Sequence, residues 1–391
     1  MMHELKCAPW PNYSEAEGDL VREVLLSNKV NYWTGKIGRE FEKQFAAKMD
    51  CVYSIAIANG TLAIDLALIA LEIGAGDEVI VTPRSFMASA SAIHNSGAKP
   101  VFADIDPISQ NINADTIREV CTDSTKAIMC VHLAGWPCDM DAIKELADEK
   151  GLSIIEDCAQ AHGARYNDKS VGSWGDIAAW SFCQDKIMTT GGEGGMVTTN
   201  NENLYEKMWS YKDHGKNRQK MQAPPKNRRF KYVHDYFGSN FRLTEMQCAI
   251  GLYQLEKLGD WKQQRTDNSN AYRELLSDFE YIRCDSTPNN IEHAYYKYYF
   301  FLNTDALASG WDRDRIVEEI SDLGGSCFSG SCPEMYAEKA FVDKYGQQKP
   351  LPCAVELGKA SLMLNVHPGM SIDYIQKNSQ IIRSVLAKAY C

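Results

Sequence analysis

Short apolar segments recur along the first two hundred residues, most of them followed by a stretch long enough for a helix. This alternation narrows the fold more than any other feature. Val52-Tyr53-Ser54-Ile55-Ala56-Ile57 reads as a buried strand, and Asn59-Gly60-Thr61 then opens an apolar-periodic helical run from Leu62 to Leu71. Val79-Ile80-Val81, Pro100-Val101-Phe102-Ala103 and Ala127-Ile128-Met129-Cys130-Val131 follow as strands. A helix from about Met140 to Glu149 leads into Leu152-Ser153-Ile154-Ile155-Glu156, and Ala178-Ala179-Trp180-Ser181-Phe182 and Gly195-Met196-Val197-Thr198-Thr199 complete the series. Apolar strands interleaved with helices predict an α/β domain on a mostly parallel sheet. The last two strands are joined by too few residues for a helical crossover. Either they pair antiparallel or the link makes an excursion over the sheet edge.

Residues 215–240 break the alternation. Lys216, Arg218, Lys220, Lys226, Arg228, Arg229 and Lys231 surround Pro224-Pro225, which reads as a long basic loop, either a solvated insertion or a binding element. Helical character resumes from Glu245 to Leu258 and again from Lys262 to Leu276. Tyr295 to Leu302 reads as a strand, and Arg313 to Leu323 and Tyr374 to Lys388 as helices. The expected division is a large domain over residues 1–264 and a smaller α+β domain over 265–391.

Composition removes several classes of function. A net charge of -11 over 391 residues argues against a nucleic-acid footprint, which needs clustered basic charge. No apolar run reaches the length of a membrane span, and Met1-Met2-His3-Glu4-Leu5-Lys6 lacks the apolar core of a signal peptide. Thirteen cysteines are scattered without a C-x-x-C pair, which suits thiols in a reducing cytosol rather than disulfides or a metal site. His132, His293 and His367 have no metal-ligand spacing, and His162 and His214 read as structural partners. A cytoplasmic protein without a metal is expected.

The chemistry concentrates at strand ends. Asn59-Gly60-Thr61 lies between a strand and a helix, where free amides and the helix dipole bind phosphate; a plain N-cap is the other reading. Asp157 ends a strand, where ligands of open α/β sheets sit. It reads either as the partner of a ring nitrogen or as a cap. Gln160 follows on the same turn. Ser181 stands at the next strand end, and Lys186 lies between it and Gly191-Gly192-Glu193-Gly194-Gly195. A lysine amine with an acid at a neighbouring strand end suits pyridoxal 5'-phosphate, which needs an amine to condense with its aldehyde and a carboxylate for its pyridinium nitrogen. Gly60, Thr61 and Ser181 would then hold the phosphate, and Gln160 the phenolic oxygen.

The order Asn59-Gly60-Thr61, Asp157-x-x-Gln160, Ser181-Phe182, Lys186 and Thr190-Gly-Gly-Glu-Gly-Gly resembles the DegT/DnrJ/EryC1/StrS family of fold-type-I, pyridoxal-phosphate-dependent sugar aminotransferases. The likeness covers almost the whole chain. It implies that Phe86, in Thr82-Pro83-Arg84-Ser85-Phe86-Met87-Ala88, lies over the cofactor ring. It implies that Gly238-Ser239-Asn240-Phe241-Arg242 crosses to a partner subunit, with Asn240 on the partner's cofactor phosphate and Arg242 on the phosphates of a nucleotide sugar. A homodimer with shared active sites is therefore expected, using L-glutamate and a nucleotide-linked keto sugar, with Lys186 and Asp157 catalytic. A related sugar 3-dehydratase carries histidine at the lysine position, so Lys186 speaks against that activity. Lys186, the acid and the phosphate cradle, all present, also speak against a non-catalytic sugar-nucleotide sensor. Two segments depart from the commoner pattern: Cys183-Gln184-Asp185 before the lysine, and Cys327-Phe328-Ser329-Gly330-Ser331-Cys332 where many members have a His-Tyr-Pro segment. The combination of Asn31-Tyr32-Trp33-Thr34-Gly35, Ser181 through Lys186 and Phe328-Ser329-Gly330-Ser331 looks like a subgroup acting on surface-polysaccharide sugars. A UDP-linked 4-keto-6-deoxy-N-acetylhexosamine is the substrate this likeness implies; dTDP- or GDP-linked 3-keto or 4-keto sugars are the alternative.

Overall fold

The computed structural model describes residues 5–222 and 231–390. Lys226, Arg228, Arg229 and Pro224-Pro225 of the basic loop lie outside them. A seven-stranded sheet forms the centre, in the spatial order Tyr53–Ile57, Gly195–Thr199, Ile177–Ser181, Ser153–Asp157, Thr125–Val131, Glu78–Val81 and Lys99–Phe102. The last five of these run parallel. Gly195–Thr199 is antiparallel to both its neighbours, which settles the short link after Ser181 as an antiparallel return.

The two-residue period of the strands explains why helices cover both faces. Ile55, Ile57, Val79, Val81, Met129, Ile155 and Val197 point into one core, under the helix Gly60–Ala70. Ala56, Trp180 and Met196 point the other way, as do Ile80, Ile128 and Ile154. A strand buried on both sides must be apolar at consecutive positions, as these are. Each fully buried Val or Ile contributes about 1.5–3 kcal/mol.

A second core lies toward the C-terminus. The antiparallel strands Ile282–Arg283, Tyr298–Leu302 and Ser361–Leu364 carry it with the helices Arg313–Asp322 and Ile372–Ala389. One helix, Glu245–Leu276, joins the two cores. Thr244 caps it in a reciprocal box with Gln247, Leu255 and Leu258 pack on the sheet side, and Tyr272 and Leu276 pack in the C-terminal core.

Three sequence expectations need correction. The helix runs unbroken through 259–261 instead of stopping at Leu258 and restarting at Lys262. Gly259 costs about 1 kcal/mol there, but Leu258 is buried and Trp261 meets Trp10 edge-to-face at 5.1 Å, which offsets it. The basic loop contains a short helix, Arg218–Gln222, started by Asn217 Oδ1 accepting from the Lys220 amide. The strand expected from Tyr295 begins only at Tyr298. Tyr295 has φ 46°, and the Ala294 and Tyr296 amides donate to the carbonyls of Gly135 and Ala134 instead of to a strand.

Candidate active site

Five strand ends and one helix start converge on a cavity of about 580 Å³. Asn59, Gly60, Thr61, Phe86, Asp157, Gln160, Ser181 and Lys186 all line it. Residues up to 127 positions apart in the chain are thus gathered because each follows, or nearly follows, the carboxyl end of a strand in one sheet.

The helix Gly60–Ala70 points its N-terminus at the cavity. Asn59 Oδ1 takes the Leu62 amide at 2.9 Å and the Asn59 carbonyl takes that of Ala63, which leaves the Gly60 and Thr61 amides for an outside acceptor. Glycine is required at 60 by contact: a Cβ there would stand 2.6 Å from Ser181 Cβ. This close approach brings the Ser181 hydroxyl beside the free amides. The turn behind Lys186 has its own requirement, since Gly191 and Gly192 have φ of 83° and 115°. An anion with several oxygens fits this corner of amides and hydroxyls.

Asp157 is buried with both oxygens held. Oδ1 accepts from the Ala159 amide at 3.1 Å and Oδ2 from Ser89 Oγ at 2.8 Å. Gln160 is aimed by a bond in the other direction: its Oε1 accepts from the Ala134 amide at 2.7 Å, so its Nε2 is the group left to donate. Lys186 is held at its backbone, where its carbonyl accepts from Trp10 Nε1 at 2.9 Å and its amide donates to the Cys183 carbonyl. Its Nζ lies 3.9 Å from Asp185 Oδ1 and 5.0 Å from the centre of the Tyr296 ring. Phe86 is 69% exposed at the cavity, although it is apolar. These groups fit pyridoxal phosphate: a phosphate corner, a fixed carboxylate, an amide donor, an amine and an aromatic face.

Asn240 and Arg242 do not line this cavity. Their segment runs beside the first strand, where Arg242 bridges Ile57 and the Ala58 amide donates to the Phe241 carbonyl. Asn240 is exposed and pairs with Asp213 through the backbone. Arg242 Nη1 meets Asp213 Oδ1 at 2.8 Å, an oxygen it shares with Lys216 Nζ at 2.8 Å.

Sequence reasoning missed Trp10, Ser89 and Tyr296. Ser89 sits in a helix of small residues with no signal of its own, and Trp10 reaches Lys186 across 176 positions. Tyr296 donates to Asp185, a residue that stands out in the sequence only as a departure from the family pattern. His162 packs between Trp180 and Phe182 with neither ring nitrogen bonded, and burial pulls it down to about 3. Behind Asp157, His132, Glu156 and Cys158 come together, but the donors and acceptors of His132 and Glu156 are engaged. Glu156 accepts from His132 Nε2 and from the amides of Gly172, Trp174 and Gly175, while His132 Nδ1 accepts from the Cys138 amide. This cluster pins the strand that carries Asp157.

Residues 11–383 match the model of the DegT/DnrJ/EryC1/StrS aminotransferase family. GDP-perosamine synthase of Escherichia coli O157:H7 is 34% identical, covering 93% of this chain and 94% of that protein. UDP-N-acetyl-3-dehydro-alpha-D-glucosamine 3-aminotransferase of Acidithiobacillus ferrooxidans is also 34% identical, covering 92% of each. The crystal structure of an aminotransferase from Psychrobacter cryohalolentis is 51% identical and superposes with a TM-score of 0.96, over 99% of this chain and 100% of that one.

Proposed function

The chain belongs to the DegT/DnrJ/EryC1/StrS aminotransferase family, and from that premise we propose that it moves an amino group from L-glutamate to a keto sugar carried on a nucleoside diphosphate. It is a sugar aminotransferase that works with pyridoxal phosphate. The observation that carries the finer reading is Lys186 Nζ in one cavity with the fixed Asp157 carboxylate and the phosphate corner.

Bound pyridoxal phosphate supplies an aldehyde that takes up the amino group and a ring that accepts carbanion charge. The chain's own groups do the rest. The Gly60 and Thr61 amides and Ser181 Oγ bind its phosphate. Asp157, which its two donors keep from rotating, holds a proton on the ring nitrogen. Gln160 Nε2 donates to the phenolic oxygen, and Phe86 covers the ring face. Lys186 Nζ holds the cofactor at rest. Once free, its amine would be the base that takes the proton from the donor carbon and the acid that supplies one to the sugar carbon.

Asn240 and Arg242 belong, in this reading, to the site of the neighbouring subunit in a homodimer. Arg242 offers its guanidinium fork to the diphosphate. The substrate we favour is a UDP-linked 4-keto-6-deoxy-N-acetylhexosamine, and the product enters lipopolysaccharide O-antigen or another surface glycan made from the cytoplasmic side. Among the described residues no helix is long and apolar enough to cross a membrane. The E. coli relative supports a second reading, a GDP-linked keto sugar. Mass spectrometry after incubation with glutamate and UDP-, GDP- and dTDP-linked 4-keto and 3-keto sugars decides between them. Amination of the UDP-linked 4-keto sugar alone is expected; amination of a GDP-linked sugar alone replaces that reading with the second.

A further inference from the structure

Beside Lys186 the protein gathers more positive charge than its own acids answer. The Tyr296 ring has two ammonium groups near it, Lys186 Nζ at 5.0 Å and Lys297 Nζ at 4.9 Å from its centre. Lys297 donates to a neutral acceptor, Asn365 Oδ1, at 2.7 Å. Against the same segment packs Arg265 of the long helix Glu245–Leu276, 1% exposed. Its Nη1 reaches the Tyr295 and Tyr296 carbonyls at 3.4 and 3.3 Å, its Nε and Nη2 are unpartnered, and its guanidinium carbon lies 5.0 Å from the Trp10 ring. Among the described residues, Asp185 is the one carboxylate ion-paired with any of these three cations, and its partner is Lys186. Its other oxygen accepts from the Tyr296 hydroxyl. Burial, and after it the nearby Arg265 and Lys186, draws Lys297 down to about 8 against the pull of Asp185. Unanswered buried positive charge is costly, and an anion placed there relieves it.

We propose that Lys297, braced by Asn365 beside Tyr296, is the subsite for a carboxylate of the amino-acid donor. This rests on Lys186 being the amine that holds the cofactor. The donor's amine must take the place of Lys186 Nζ, and in an amino acid such as glutamate the carboxylates stand two and four bonds from that amine. With Lys186 Nζ at 5.0 Å and Lys297 Nζ at 4.9 Å from one ring centre, the second cation stands no farther from the amine's place than the sum of the two, the outer reach of the donor's distal carboxylate and its hydrogen bond. Lysine also suits a ligand that must leave every cycle, since it offers a point charge rather than a bidentate clamp. The nucleotide diphosphate is the other anion that enters the site, and in the proposed dimer the partner subunit's Arg242 provides for it.

Stopped-flow absorbance of the holoenzyme separates the two half-reactions. Lys297→Met is expected to raise the apparent Kd for glutamate in the donor half-reaction about tenfold or more, the loss of one charge-assisted contact. The sugar half-reaction, started from the amino form of the cofactor, should stay within about twofold of wild type. Calorimetry with glutarate, which has both carboxylates and no amine, should show the same weakening without any turnover, and Lys297→Arg should recover most of it. Lys297→Gln, which keeps a donor for Asn365, gives the same readings if the methionine variant does not fold. Unchanged glutamate and glutarate affinity in a variant that loads cofactor overturns the proposal. So does a defect confined to the sugar half-reaction, which hands Lys297 to the diphosphate. Borohydride labelling of wild-type enzyme is the separate check: cofactor fixed to a lysine other than Lys186 removes the underlying reading, whatever Lys297 does.

Discussion

The wall of the cavity and the segment Gly238-Ser239-Asn240-Phe241-Arg242 carry equally specific motifs, yet the fold treats them differently. The wall is finished within one chain. Asp157 has a donor on each oxygen, Gln160 is aimed by Ala134, and Gly60 touches Ser181. The segment is left open. Asn240 is exposed, and Arg242 is steadied by a buried aspartate without reaching the cavity of its own subunit. A site completed internally holds the group that must be positioned for chemistry. A steadied but unspent cation is the form a contribution to another subunit would take.

The largest expected effect tests the wall. Lys186→Ala removes both the cofactor's anchor and the proton carrier, so transamination should fall by about 10⁴-fold or more, measured as 2-oxoglutarate release. Borohydride should then no longer attach the cofactor to the peptide spanning 186. Asp157→Asn comes next. It keeps the shape and the phosphate contacts, so cofactor should still bind, while kcat falls on the order of a hundredfold or more. Near-normal turnover in that variant removes the ring-nitrogen role. Arg242→Ala tests the other side of the contrast, with a rise in KM for the nucleotide sugar of roughly tenfold or more. At nucleotide sugar well below the wild-type KM, where Arg242→Ala homodimers contribute little, mixing them with Lys186→Ala subunits should restore roughly a quarter of wild-type activity, since half the dimers would be mixed and each would hold one intact site. No recovery after proven exchange places Arg242 in its own subunit's site or in none.

The smallest effect concerns the layer behind the wall. His162 and His293 are both drawn to about 3 by burial, so the fold keeps them neutral. The unfolded chain takes protons on them below about 6.5. Their contribution to stability is therefore complete above that pH and is lost as pH falls toward 3, by about 1.4 kcal/mol per pH unit for each. Tm should be flat in this respect above pH 7 and decline below 6, with a shallower decline in His162→Gln. An equal slope in that variant removes His162 from the account.

The wall was legible because its residues announce themselves locally. An acid after Ile154 and Ile155, a serine closing an apolar strand and a lysine before a glycine run each sit where strand periodicity stops. Trp10, Ser89 and Lys297 give no such signal, since their roles arise from contacts far along the chain. The same competition misplaced the strand start at Tyr295. Four of its five neighbours in sequence favour a strand, but hydrogen bonds to Ala134 and Gly135 divert the segment toward Lys186 first. The gap expected between Leu258 and Lys262 closes for a related reason, because packing on both sides outweighs the weak helix propensity of Gly259.

That unbroken helix matters to anyone who would take the protein apart. Thirty-two residues make a rod about 48 Å long. A cut at 264 would split it in mid-span, stranding Tyr272 and Leu276 on a stub without the cap at Thr244. Expression of the C-terminal half from 265 should therefore yield a poorly behaved fragment. A seam suited to tags, inserted reporters or protease sites lies instead at Ser277 and Asp278, where the rod has ended and both side chains face water.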